Sequence, residues 1–87
     1  MLEVKRFSAV WCGPCRALAP VMEGIKAGYS DVVFETIDVD NDHEQASKYG
    51  IRSVPTVVIV KDGVEINRFT GMSSKMAYVN AINEGLQ

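Results

Sequence analysis

Little in this sequence is long and apolar, strongly charged or rich in cysteine. No run approaches the ~20 apolar residues that a membrane span needs, so no membrane partner is expected. Basic residues are not in excess: nine stand against eleven acids, for a net charge of −2. A nucleic-acid binder normally shows a basic stripe, so no nucleic-acid partner is expected. Two cysteines are too few for the disulfide lattice of a small secreted scaffold. No repeat, low-complexity stretch or Pro/Gly/Ser-rich linker interrupts the chain. Met1–Arg6 alternates apolar and charged residues, unlike a secretory signal, and a reducing cytoplasm is the expected compartment. The lone histidine, His43, falls in a polar segment and is read as a solvated surface residue.

What remains is an 87-residue chain that is 47 % apolar, too much for disorder and enough for one core spanning 1–87. Leu2–Phe7 reads as a strand and Ser8–Pro14 as a loop. A helix is expected from about Gly13 to Ala27, with Pro14 at a first-turn position, Pro20 kinking it and Gly28 ending it. Leu18, Val21, Met22 and Ile25 form its buried stripe. Val32–Ile37 is a second strand. A short helix follows near Asp42–Tyr49, with Asn41 or Asp42 as cap and Gly50 as stop. Thr56–Val60 is apolar throughout, as in a strand covered on both faces. Lys61-Asp62-Gly63 signals a tight turn into Val64–Phe69. A last helix covers about Ser73–Gly85, with Met76, Val79, Ala81 and Ile82 as its apolar stripe. The fold class is α/β, in the order β-α-β-α-β-β-α. A right-handed crossover sets the first two strands parallel and adjacent, and the hairpin joins the other side of strand one. The result is a four-stranded mixed sheet with helices on both faces.

The chemical signal is Trp11-Cys12-Gly13-Pro14-Cys15, at a strand-to-helix junction within a βαβ unit. In a cytosolic protein such a pair reads as a redox motif. Two intervening residues at a helix start bring the sulfurs to disulfide distance. The ring so closed is tiny and adds little stability, which suits cycling better than stapling. A helix N-terminus favours thiolate over thiol. Cys12, before the first turn, is the expected exposed nucleophile. Cys15, one turn in, is the expected buried resolving thiol. Zinc wants four ligands and only His43 could join the pair. Haem attachment needs a histidine after the second cysteine, where Arg16 stands. Two inert core cysteines fit poorly with the Trp, Gly and Pro around them. No metal is assigned. Asp38, Asp40 and Asp42 lack the closing glutamate of a calcium loop and read as a solvated turn and helix cap. Met22, Met72 and Met76 read as packing, and Arg52 as surface charge.

These residues resemble the thioredoxin family. Beyond Trp11–Cys15, the likeness includes Pro20 and Ile37-Asp38-Val39-Asp40. It extends through Lys48–Thr56, Lys61-Asp62-Gly63 and Thr70-Gly71, and so over nearly the whole chain. The resemblance implies a groove for substrate protein lined by Trp11, Gly13, Pro14, Val54, Pro55 and Gly71, with a cis Val54–Pro55 bond. It implies thiol–disulfide exchange on disulfide-containing protein substrates, with Cys12 attacking and Cys15 resolving. It implies no cofactor beyond the redox-active Cys12–Cys15 disulfide, and electrons from a thioredoxin reductase or glutathione.

The sequence also departs from the family. The usual N-terminal strand and helix do not precede the motif, which leaves a minimal core of glutaredoxin size. Val32–Ile37 is then expected at a sheet edge, and the protein is expected to be a monomer. Arg6 stands where the family has a buried aspartate, Thr36 where it has that residue's lysine partner, and Ser8 where it has an aromatic. A guanidinium cannot serve as a base. Arg6 is therefore a candidate for tuning the Cys15 pKa, with Asp38 as its expected partner, unless it is simply solvated. Two other functions fit: a glutathione-fed, glutaredoxin-like reductase, and a thioredoxin-fold binding subunit of a larger complex.

Overall fold

The computed structural model describes residues 1–87. Its elements are β1 (Leu2–Ser8), α1 (Gly13–Lys26), β2 (Val32–Asp38), α2 (His43–Lys48), β3 (Thr56–Lys61), β4 (Val64–Thr70) and α3 (Lys75–Gly85). The sheet order is β2-β1-β3-β4. β1 pairs parallel to β2, with Arg6 opposite Thr36, and antiparallel to β3. β3 and β4 form the expected hairpin, and β2 lies at the sheet edge. The hairpin turn needs positive φ at both central residues, and Asp62 (52°) and Gly63 (85°) supply it.

Strand alternation divides the core in two. Leu2, Val4, Val57 and Ile59 face α1 and α3 and meet Leu18, Met22, Ile25, Tyr78 and Ile82. Phe7, Ile37, Val58 and Val60 face the α2 side and meet Tyr49 and Ile51. β3 is buried along nearly its whole length because both clusters use it. α2 is short, and polar side chains pave the sheet beside it. Lys5 donates to Glu35 (2.8 Å) and to Gln45 (3.0 Å), and its ammonium also lies 3.7 Å from Glu3. Burial pulls the Lys5 pKa down, but Glu35 overcomes this and holds it raised. The hydrogen bond from Lys5 holds the Glu35 carboxyl below its ordinary range.

The apolar stripe expected for α3 needs correction. Met76 is 60 % exposed, and the residue that α3 plants in the core is Tyr78, fully buried with its ring edge on Phe69. The tyrosine hydroxyl explains the choice: it accepts the Ser73 N–H at 2.9 Å, so burial leaves it satisfied. The expected hairpin carries an irregularity the sequence did not announce. A bulge between Ile59 and Val60 sets Asn67 opposite Ile59 and Glu65 opposite Val60. Glu65 thus chelates the Arg68 guanidinium with both oxygens at 2.8 Å, and Arg68 also donates to the Tyr49 carbonyl.

Candidate active site

The end of β1 delivers the cysteine pair to the head of α1. Ala9–Trp11 leave the strand, and Arg16 ties this loop down by donating to the Val10 carbonyl at 2.9 Å. Cys12 is the N-cap of α1: its sulfur accepts the Cys15 N–H at 3.2 Å. Pro14 sits in the first turn, where its missing N–H costs nothing. The helix runs through Pro20 to Lys26 without a break. Cys12 and Cys15 form a disulfide, with their Cα atoms 5.2 Å apart.

Both sulfurs are sheltered. Cys12 is 4 % exposed and Cys15 is 1 %, packed with Ala9, Val39 and Val54. Cys12 is therefore not the exposed residue expected from its place before the helix. Seated as cap and bonded inward to Cys15, it turns its sulfur toward Val54, whose carbonyl oxygen lies 3.8 Å away.

The remaining motif residues gather around this point. Trp11 is 66 % exposed, and Gly13 and Pro14 are exposed beside it. The indole N–H donates to Asp40 at 2.8 Å, which holds the ring against the turn after β2. Trp11, Val39, Ile51, Arg52 and Val54 line one open hollow of about 140 Å³. The Val54–Pro55 bond is cis. Val54 lies outside β3, and its N–H and C=O take part in no backbone–backbone hydrogen bond. Gly71, with φ at 82°, donates its N–H to the Pro55 carbonyl at 2.9 Å and so joins the same surface. Met72 beside it is exposed.

Arg6 lies on the other side of the pair. Its alternation with Leu2 and Val4 aims it under α1, and it is only 8 % exposed. With Ser8, Cys15, Arg16, Thr36 and Asp38 it lines an open hollow of about 380 Å³ beside Cys15. Its guanidinium donates to the Thr36 hydroxyl at 2.9 Å. Burial lowers its pKa, and the charge of Glu23 works against that shift. The expected Asp38 partner is not engaged, and Arg6 forms no ion pair. Asp38 is already committed at the turn, where its oxygens accept the Asp40 N–H (2.9 Å) and the Asn41 side-chain amide (3.0 Å). Asp42 does cap α2, accepting the Gln45 N–H.

Sequence reasoning missed the tether from Asp40 to Trp11, the Arg16 clamp and the Thr36 anchor. Only the spacing of the aspartates marked this turn as structured. His43 is exposed on α2, and no group of three or more His, Cys, Asp or Glu side chains is placed to hold a metal ion. No helix is long and apolar enough to cross a membrane.

Comparison with known proteins agrees with this geometry. The thioredoxin family model matches residues 2–84. A thioredoxin of Chlamydia caviae is 38 % identical over 78 residues, covering 90 % of this chain and 76 % of the relative. Thioredoxin 1 of Synechococcus elongatus is 42 % identical over 81 residues, covering 92 % of this chain and 76 % of the relative. Among solved structures, a mutant thioredoxin from Halobacterium salinarum superposes with a TM-score of 0.90 at 36 % identity, over 99 % of this chain and 75 % of the other. Likeness of this extent in both sequence and backbone means that the chain belongs to the thioredoxin family and is a thiol–disulfide oxidoreductase.

Proposed function

We propose that the chain works as a reductase of protein disulfides, with Cys12 as the attacking sulfur and Cys15 as the resolving one. The observation that carries this reading is the Cys12–Cys15 disulfide at the head of α1, bordered by an exposed Trp11 and the unpaired backbone of Val54. In the reduced protein, the N-cap position offers the Cys15 N–H and the helix N-terminus to a Cys12 thiolate. An extended substrate segment pairs with the Val54 N–H and C=O, in the manner of an added strand. This lays its disulfide beside Cys12, while Trp11 and Gly71 flank it. Cys12 attacks one substrate sulfur and the other leaves as thiolate. Cys15 then attacks Cys12, re-forming the Cys12–Cys15 bond and releasing the second substrate sulfur reduced. Gly13 and Pro14 keep side-chain bulk away from the approach. No metal or bound cofactor takes part.

The proposed setting is a reducing, cytoplasmic compartment, with a thioredoxin reductase or glutathione returning the two electrons. Insulin reduction, followed with each donor in turn, tests both the activity and the donor. The reading expects turnover with one of them and its loss in Cys12→Ser. Turnover that persists in Cys12→Ser overturns the assignment.

A further inference from the structure

Cys15 has an electrostatic problem that the pair alone does not solve. It is 1 % exposed among Ala9, Val39 and Val54, and burial pushes a thiol's pKa up. The helix cap serves Cys12 instead, because the Cys15 N–H points at the Cys12 sulfur. Yet Cys15 must lose its proton before it can resolve a mixed disulfide.

The charged groups around it come from three segments. Arg6 on β1, Arg16 on α1 and Asp38 at the end of β2 line the open hollow beside it. Glu23, Lys26 and Glu35 line a second, smaller hollow on the far side of Arg6. Asp40 is tied to Trp11. Arg16 is exposed and bonded to the Val10 carbonyl, and Asp38 is occupied by the turn. Arg6 differs from all of these. It is a largely covered cation held by one neutral hydrogen bond to the exposed Thr36, with its other nitrogens reaching the open hollow and no carboxylate within ion-pair distance. A guanidinium has five N–H donors, and those that Thr36 does not engage are free to meet an anion in the hollow they share with Cys15.

We infer that Arg6 is a positioning residue for the resolving step: the Cys15 thiolate, formed on reduction, is the counter-ion that its guanidinium lacks in the disulfide state. The inference rests on the proposed role of Cys15. The Cys15 proton leaves to water through the hollow. The thiolate then attacks the Cys12 sulfur, the Cys12–substrate bond breaks, and the substrate sulfur departs with the electron pair. The substrate disulfide is reduced by two electrons, and the Cys12–Cys15 pair is oxidised by the same two. The fixed cation replaces a general base, because it holds the nucleophile ionised without accepting a proton. It also stabilises the reduced protein relative to the disulfide.

The test titrates Cys15 alone, in a Cys12→Ser background, by thiolate absorbance and by alkylation rate against pH. Arg6→Gln should raise the Cys15 pKa by about one unit or more, cutting alkylation at neutral pH roughly tenfold. Arg6→Lys should restore most of it. In the two-cysteine protein, Arg6→Gln should shift the equilibrium with glutathione toward the disulfide by a similar factor. Asp38→Asn should lower the Cys15 pKa, since it removes a negative charge from the hollow. An unchanged titration in Arg6→Gln overturns the inference, as does slower resolution in Asp38→Asn, which would make Asp38 the base. Should Arg6→Gln fail to fold, Arg6→Met, which keeps an apolar stem without the charge, must raise the Cys15 pKa, and no shift there is equally fatal. If the reduced wild type fails to reduce insulin, the proposed function fails, while the titration still reads the Arg6–Cys15 coupling.

Discussion

Replacing Tyr78 by phenylalanine removes one oxygen from the fully buried side of α3. The ring stays against Phe69 at a centroid distance of 4.9 Å, so the packing term is preserved. What is lost is the acceptor for the Ser73 N–H, 2.9 Å away. Ser73 is half-buried, so water reaches the freed donor in part. The net loss of such a bond is about 0.5–1.5 kcal/mol, and the full desolvation penalty of about 1–3 kcal/mol applies only if water is excluded. A cost near 1 kcal/mol is therefore expected, lowering Tm by roughly 4–8 °C for a domain of this size. Tyr78→Ala removes the ring as well and should cost about 3–5 kcal/mol, as for other large aromatic truncations. Met76→Ala, on the same helix but exposed, should stay within about 0.5 kcal/mol of wild type. The bond also holds the Gly71–Ser74 segment, so Tyr78→Phe should weaken substrate binding more than it slows the chemical step. Urea denaturation of the three variants reads the energies, and insulin reduction reads the KM. A Tyr78→Ala cost no larger than that of Met76→Ala would refute the placement of α3. A Tyr78→Phe protein indistinguishable from wild type would refute the role of the hydroxyl.

Other outcomes follow from the same geometry. After reduction, Cys12 should react with a small alkylating reagent much faster than Cys15 near neutral pH; equal rates by mass spectrometry sink the nucleophile assignment. Asp40→Ala should release the Trp11 indole and raise the KM for insulin several-fold while Tm barely moves, and an unchanged KM means the tether has no role in binding. The folded-state pKa of Glu35 is depressed, so its stabilisation is complete above its ordinary value of 4.5 and is lost as pH falls through the folded value. Lys5 is raised, so its share is complete below 10.5 and is lost as pH rises through its folded value. Glu35→Gln should thus flatten the acid limb of a Tm–pH profile by about 0.5–1 kcal/mol and leave pH 6–9 parallel to wild type; an unaltered acid limb contradicts the pair. Because Glu35 interrupts the exposed β2 edge, a monomer is expected by sedimentation, and a dimer that Val33→Lys abolishes would show the edge in use.

The strands, the hairpin turn, the caps and the cysteine pair were legible because each is written in neighbouring residues. Alternation marks a strand face over a few positions, Asp62-Gly63 tolerates positive φ, Asp42 reaches the N–H three residues on, and Cys12 and Cys15 are one helical turn apart. Where side chains from distant segments compete for one space, local pattern is silent. Met76 and Tyr78 both suit a helix, and the choice fell to the one whose hydroxyl could meet Ser73 while its ring met Phe69. Asp38 and Asp40 look interchangeable along the chain. The path of the turn gave Asp40 to Trp11 and kept Asp38 for backbone and Asn41, which left Arg6 without the carboxylate that sequence reasoning assigned it. The β3–β4 bulge, which alone brings Glu65 to Arg68, has no composition of its own. Short-range periodicity encodes which face a residue is on, but which partner it meets there depends on packing between elements that are far apart in the chain.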